Sequence, residues 1–139
     1  LTKASMITRD IDLLAPMGAK NLTRCMISIT TQDRRLARAM EPRASTPEKR
    51  FDAIKQLADS GIRTGIMLGP MIPGLNDTEL ESIMERAVEL GASYSAYTIL
   101  RLPLEVAPLF QDGDYSAENI EVMDILEYHK RVYQSLTSD

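Results

Sequence analysis

The stretch Gly65–Asp77, GIMLGPMIPGLND, decides the architecture. An apolar run from Ile62 to Leu68 stops at Gly69-Pro70, Pro73 and Gly74 break the chain again, and Asn76 stands ready to open a helix. The order is buried strand, stiff loop, helix N-terminus. In α/β proteins that junction, at the carboxyl end of a strand, is where ligands sit. A chain built around such a loop belongs to a ligand-binding α/β layer and not to an all-helical bundle.

The flanking segments repeat the pattern. Upstream, Pro47 opens a helix with Phe51, Ile54, Leu57 and Ala58 on one side. Its start is a capping box of Ser45 with Glu48, or Thr46 as cap with Pro47 at the first helical position. Gly61 is the expected C-terminal stop. Downstream, Asn76 and Glu79 read as a second capping box, opening a helix to Leu90 with Leu80, Ile83, Met84, Ala87 and Leu90 as its apolar stripe, and Gly91 stops it. Ser93–Leu100 is the next strand. Further out, Ile7, Ile11 and Leu14 predict a helix that Pro16 and Gly18 end or kink. Asn21 closes the turn, Leu22–Ile29 is a strand, and Asp33–Met40 is a short helix. Arg101–Ser116 is Pro-rich and irregular, and Ser116 caps a last helix carrying Ile120, Met123, Leu126, Val132 and Tyr133. Strand starts recur about every 30 to 40 residues, the size of a βα unit. Strict alternation predicts an α/β fold with a parallel sheet and right-handed crossovers, an arc of a (β/α) barrel.

Composition bounds the function. The 139 residues suffice for a core and read as a single domain, 1–139. A net charge of −4 does not advertise nucleic-acid binding, although a local basic patch can hide in an acidic total. No apolar run approaches about 18 residues, so no membrane span is expected. The opening LTKASMITRD lacks a secretory signal, and a cytoplasmic location is the default. It also lacks an initiator Met and reads like the tail of a strand already under way, so a fragment is expected. Cys25 is the only cysteine and His129 the only histidine. No disulfide framework or Cys-rich metal site follows, and Cys25 reads as a small buried hydrophobe.

Parallel strands send their carboxyl tails to one edge: Thr2-Lys3, Ser28–Thr31, Gly69–Gly74 and Thr98–Pro103. Ser28 and Thr30 put hydroxyls two residues apart on one strand face, where they suit a ribose or a carboxylate or simply satisfy themselves locally. Pro70, Pro73 and Gly74 fix a loop whose amides and carbonyls stay aimed at one place, or make a plain βα turn. Arg101 suits a carboxylate or phosphate, or a surface ion pair. Glu41 and Arg43 flank Pro42 as an acid–base group and an anion clamp, or as solvated loop charges. Arg34, Arg35 and Arg38 read as a basic, solvated helix face. Tyr94 and Tyr97 fall on opposite faces of their strand. His129 has no orienting partner at helical spacing. No Ser-His-Asp order, phosphate-cradling glycine loop or paired-histidine motif is present.

Four blocks, LTKASMITRDIDLL, SITTQDRRLARAMEPRASTPEKRFDAIKQLADSGI, PMIPGLND and ILRLPLEVAPLF, stand in an order and at a spacing that resembles the spore-photoproduct-lyase-like (DNA repair photolyase-like) branch of the radical S-adenosylmethionine proteins. The likeness covers Leu1 to about Phe110. Beyond it the chain reads DGDYSAENIEV and lacks Trp, where the family often has an acidic, Trp-containing stretch; 111–139 reads as a C-terminal helical segment. The resemblance implies a partial (β/α)6 barrel, a [4Fe–4S] cluster held by a CxxxCxxC loop, and S-adenosylmethionine cleaved to a 5′-deoxyadenosyl radical. That loop is absent from this chain, which then corresponds to the later part of the barrel and on its own is inactive. By analogy Ser28 and Thr30 match the fourth-strand contact to the cofactor, Pro70–Gly74 a fifth-strand element near the adenosine, and Tyr97–Leu102, with Leu100 and Arg101, the sixth-strand region beside the adenine. Glu41 and Arg43 match an EPR-like segment. The implied partners are the small-molecule cofactor and a DNA substrate, with self-association through open strand edges. The rival readings are a non-catalytic α/β module binding a small anion or a protein, and a barrel aldolase or isomerase using Lys3.

Overall fold

The computed structural model describes residues 1–100. Arg101, the Pro-rich stretch, the last helix and His129 lie outside them. A 3-10 turn (Ser5–Asp10) leads into α1 (Ile11–Ala19); then come β1 (Cys25–Ser28), α2 (Arg34–Met40), α3 (Pro47–Asp59), β2 (Thr64–Met71), a second 3-10 turn (Asp77–Glu79), α4 (Leu80–Glu89) and β3 (Tyr94–Ile99). The three strands form one parallel sheet in sequence order. Thr2 adds a parallel bridge to Ile27, the remnant strand expected at the start of the chain.

Among the described residues, the helices that pack on the sheet share one side of it. Cys25, Ile27 and Ile29 of β1 and Ile66 and Leu68 of β2 meet Phe51, Ile54 and Leu57 of α3 and Ile83 and Ala87 of α4 in a single buried cluster. Ile7, Ile11 and Leu14 pack against its margin. Sequential strand order with helices on one face is how a βα barrel wall is laid down; a doubly wound sheet reverses its strand order and covers both faces. The six-unit barrel expected from the resemblance exceeds what three strands can display.

Helix ends follow local chemistry. Asp33 caps α2 by accepting from the Arg35 and Leu36 amides at 2.6 and 3.2 Å. At α3 the alternative with Thr46 as cap and Pro47 at the first position is the one adopted. Ser45 is not the cap; its hydroxyl accepts from the Ser5 amide at 2.9 Å. α1, α3 and α4 all close on a left-handed residue (Asn21, Gly61, Gly91) followed by a hydrogen bond reaching five residues back.

Three boundaries differ from the sequence expectation. α1 runs through Pro16. The hydrogen bond that proline forfeits belongs to the first turn, on the exposed residue Asp12, so no buried carbonyl loses its partner. Gly18 stays in the helix, its backbone packed against Ile62 at a distance where an added Cβ would make ordinary contact, 3.4 Å from the Ile62 Cα. β1 is shorter than expected, since Leu22 is exposed and unpaired. β2 is longer: it passes through Gly69-Pro70, a cis peptide, to Met71, with the register to β3 shifting between Leu68 and Met71. A proline fits a strand at such an irregularity because one ladder amide is not needed there.

The opposite face of the sheet carries Met26, Ser28, Met67, Tyr94 and Ala96 by register. At its amino end Tyr94 lies across Gly65 and donates its hydroxyl to the Cys25 carbonyl at 2.7 Å. Only glycine leaves room for the ring, since a Cβ at position 65 would come within 2.5 Å of it. Arg24 and Arg63 stand 5.7 and 5.4 Å from the ring centroid. Burial lifts the Tyr94 phenol above its ordinary pKa, the neighbouring arginines notwithstanding, and keeps it a donor. Burial also pushes the Cys25 thiol up, as suits a packed hydrophobe.

Candidate functional site

The carboxyl ends of the strands meet in a rim bolted together by side chains. Asn76 is fully buried between two strand tails. Its Oδ1 accepts from the Ile72 amide at 2.6 Å, and its Nδ2 donates to the Thr30 carbonyl at 2.7 Å and the Pro70 carbonyl at 3.1 Å. One amide side chain thus holds the loop after β2 against the tail of β1. Glu79 makes a second link, accepting from the Thr31 hydroxyl at 2.5 Å and the Gln32 amide at 2.8 Å. The Ser28 hydroxyl reaches the Gly69 carbonyl at 3.4 Å, and the Leu100 amide bonds the Met71 carbonyl at 2.9 Å, which ties in the tail of β3.

A buried ionic network supports the rim from the α3 side. Arg50, 2% exposed, donates to the Ser28 carbonyl at 2.9 Å, the Ser45 carbonyl at 2.7 Å and Glu41 Oε2 at 2.5 Å. Lys3 forms an ion pair with the other carboxylate oxygen of Glu41. Burial alone would raise the Glu41 carboxyl; the hydrogen bonds and charges of Lys3 and Arg50 outweigh it and hold the group below its usual range. Glu41 is therefore a fixed anion with both oxygens engaged, a poor general base.

Among the described residues, Thr30 Oγ1 is the one fully buried hydroxyl without a partner. It sits at the tail of β1, two residues from the Ser28 hydroxyl. An unmade hydrogen bond in the interior costs roughly 1–3 kcal/mol, so a free donor–acceptor at a strand tail is a natural place for a polar ligand to attach.

The site residues expected from the sequence divide. Ser28, Thr30, Pro70, Pro73 and Leu100 all belong to strand tails on one edge of the sheet, with Gly74 exposed at the outer turn. Gly74 has φ +80°, and its amide donates to Asp77 at 3.0 Å. Pro70 is part of β2 and not of the loop. Glu41 lies under the rim, but as a structural counter-ion. Arg43 is exposed on the turn after α2 and makes no ion pair with Glu41; Arg50 and Lys3 take that place. Tyr97 pairs in register with Leu68, so its side chain stands on the helix-bearing face, 64% exposed, away from Ser28. Lys3, the amine an aldolase would use at this edge, is paired with Glu41.

Two elements of the site are not read from sequence in their true role. Arg50 is four residues before Ile54 and seven before Leu57, on the buried stripe of α3; a cation on an apolar stripe is the signal that marks it. Asn76 and Glu79 look like a capping box, yet Asn76 makes no cap bond because its oxygen is taken by Ile72. Both side chains cross to the β1 tail, and sequence spacing does not report that partner.

No group of His, Cys, Asp and Glu among the described residues could hold a metal ion. No helix among them is long and apolar enough to cross a membrane.

Comparison with known proteins places residues 1–87 within the family model of the radical SAM superfamily. An uncharacterized protein of Acidianus two-tailed virus is 28% identical over 95 residues, 65% of this chain and 31% of that protein. An uncharacterized protein of Methanocaldococcus jannaschii is 33% identical over 79 residues, 57% of this chain and 29% of that one. An uncharacterized protein of Mycobacterium tuberculosis is 26% identical over 95 residues, covering 67% of this chain and 28% of its own length. The chain spans less than a third of the length of the curated relatives it matches. No solved structure matches.

Proposed function

The chain belongs to the radical SAM superfamily, and from that premise we propose that its rim is the nucleoside-holding side of a (β/α)6 barrel enzyme. Residues 1–139 then form one domain from the later part of that barrel. The observation that carries the reading is Thr30 Oγ1, buried and unpartnered at the tail of β1 beside Ser28. A hydroxyl in reserve there suits the ribose or amino-acid part of S-adenosylmethionine. When bound, that cofactor supplies a 5′-deoxyadenosyl radical after one-electron reduction by an iron–sulfur cluster.

The residues of this chain orient and enclose. Asn76 fixes the Ile72–Gly74 loop and the Thr30 carbonyl together, so that the polar groups facing the ligand are preorganised. Arg50 and Glu41 hold the Ser28 backbone from beneath. The cluster itself does not fit the described residues, because Cys25 is buried among apolar side chains facing α3 and no ligand set accompanies it. Its ligands belong to another part of the parent protein, and the isolated chain is inactive in this reading. The resemblance of four sequence blocks to the spore-photoproduct-lyase-like branch supports damaged DNA as substrate. Among the described residues β3 has no neighbour on its outer edge, and an open edge of that kind supports self-association.

Titration of S-adenosylmethionine into the isotopically labelled chain tests the cofactor reading. Amide shifts are expected at Ser28, Thr30, Ile72 and Leu100, with Gln56 and Arg63 silent. Thr30→Val should weaken the response about tenfold, the worth of one hydrogen bond. Shifts confined to the amino ends of the strands, or none at all, would remove the rim from the cofactor site.

A further inference from the structure

We propose that the arginine face of α2, with the turn behind it, binds the phosphodiester backbone of a nucleic-acid strand. Arg34, Arg35, Arg38 and Arg43 are all exposed, and none forms an ion pair among the described residues. Of the three acids in segment 33–50, Glu48 lies exposed in the first turn of α3 and the other two have partners of their own. Asp33 accepts from the first amides of α2, and Glu41 is held by Lys3 and Arg50. Segment 33–50 carries six basic and three acidic residues in a chain whose net charge is −4. Positive charge is thus gathered at one place on an acidic molecule.

Arg34 and Arg38, one helical turn apart, line a cavity of about 210 Å³ that Ala44, Ser45 and Thr46 close from the other side. On α2 and the turn behind it the four exposed cations are all arginine; the exposed Lys49 lies further on, in α3. A guanidinium presents a planar fork matched to two phosphate oxygens, whereas an ammonium is a point charge. α2 follows directly on the Thr30–Thr31 tail of β1, so a strand lying along these arginines arrives at the rim. The inference rests on the proposed function for the identity of the polyanion and extends it to a named binding surface.

The test is the salt dependence of binding between the full chain and a fluorescein-labelled single-stranded DNA of twelve nucleotides, followed by anisotropy. Four neutralised phosphates should weaken affinity about 50-fold between 50 and 200 mM salt. Arg34→Ala/Arg38→Ala should leave only about a 7-fold dependence, while Arg34→Lys/Arg38→Lys, which keeps the charge, should retain most of the steepness. Arg35→Ala/Arg43→Ala provides an independent second variant. Absence of binding at 50 mM salt, a slope unchanged in both alanine variants, or displacement of the DNA by polyglutamate of equal charge overturns the proposal. The assay needs no cofactor. DNA binding lost with cofactor shifts retained defeats this inference alone, and the reverse outcome defeats the cofactor reading alone.

Discussion

β1 and β3 lie in the same sheet yet in opposite surroundings. β1 is buried on nearly every residue and bordered by Thr2 on one side and β2 on the other. β3 leaves Tyr97 and Ile99 exposed at 64% and 40% and, among the described residues, pairs with β2 alone. The groups with ligand-binding chemistry cluster at the finished strand. Ser28, Thr30 and Thr31 at the tail of β1 are each tied to, or stand beside, an element from elsewhere in the chain, and that tail is where the loop after β2 is fastened. A site needs positions held to fractions of an ångström, and a strand held from both sides supplies that.

The largest break in this contrast should come from Arg50→Ala. It strands Glu41 with one partner fewer and frees the Ser28 and Ser45 carbonyls, and loss of one partner of a buried ion pair costs about 3–5 kcal/mol. Urea unfolding followed by circular dichroism should show that loss, and a change below about 1 kcal/mol would mean the network is decorative. The two strands themselves come next. Ile27→Ala, at a fully buried position, should cost about 2–4 kcal/mol, while Ile99→Ala on β3 should stay within about 0.5 kcal/mol. Equal losses would mean that β3 is as well packed as β1.

The gentlest probe is acid. The Glu41 carboxyl is held below its usual value of 4.5 in the folded chain, so it binds protons less readily there than when unfolded. Its stabilising contribution is complete above the unfolded value and disappears as pH falls through the lower, folded value. The wild-type chain should lose stability over that acid window, and Glu41→Gln, already weaker at neutral pH, should show a shallower loss. A parallel decline in both chains would take Glu41 out of the acid response.

Much of the wall was legible because its signals are local. Glycine stops after Ser60 and Leu90, Pro47 at a helix start and the apolar stripes of α3 and α4 each reflect backbone geometry within one element. The rim was legible only in part. Alternation and strand-end position place Ser28 and Thr30 together at the tail of β1, where they lie. The true duties of Arg50, Asn76 and Glu79 depend on partners 22, 46 and 48 residues away in the chain. The separation of Arg43 from Glu41 and the face taken by Tyr97 are hidden for the same reason. A charge beside Glu41 in sequence is not the charge beside it in space, and strand parity gives a face only after the register is known.

The phenol laid over Gly65 gives this face of the sheet two unlike ends. With Tyr94 hydrogen-bonded across to the Cys25 carbonyl and flanked by two guanidinium groups, the amino end of these strands is capped by an aromatic ring. The hydroxyl that Thr30 holds in reserve stands at the carboxyl end, so among the described residues a polar visitor finds an offer at one end and a ring at the other.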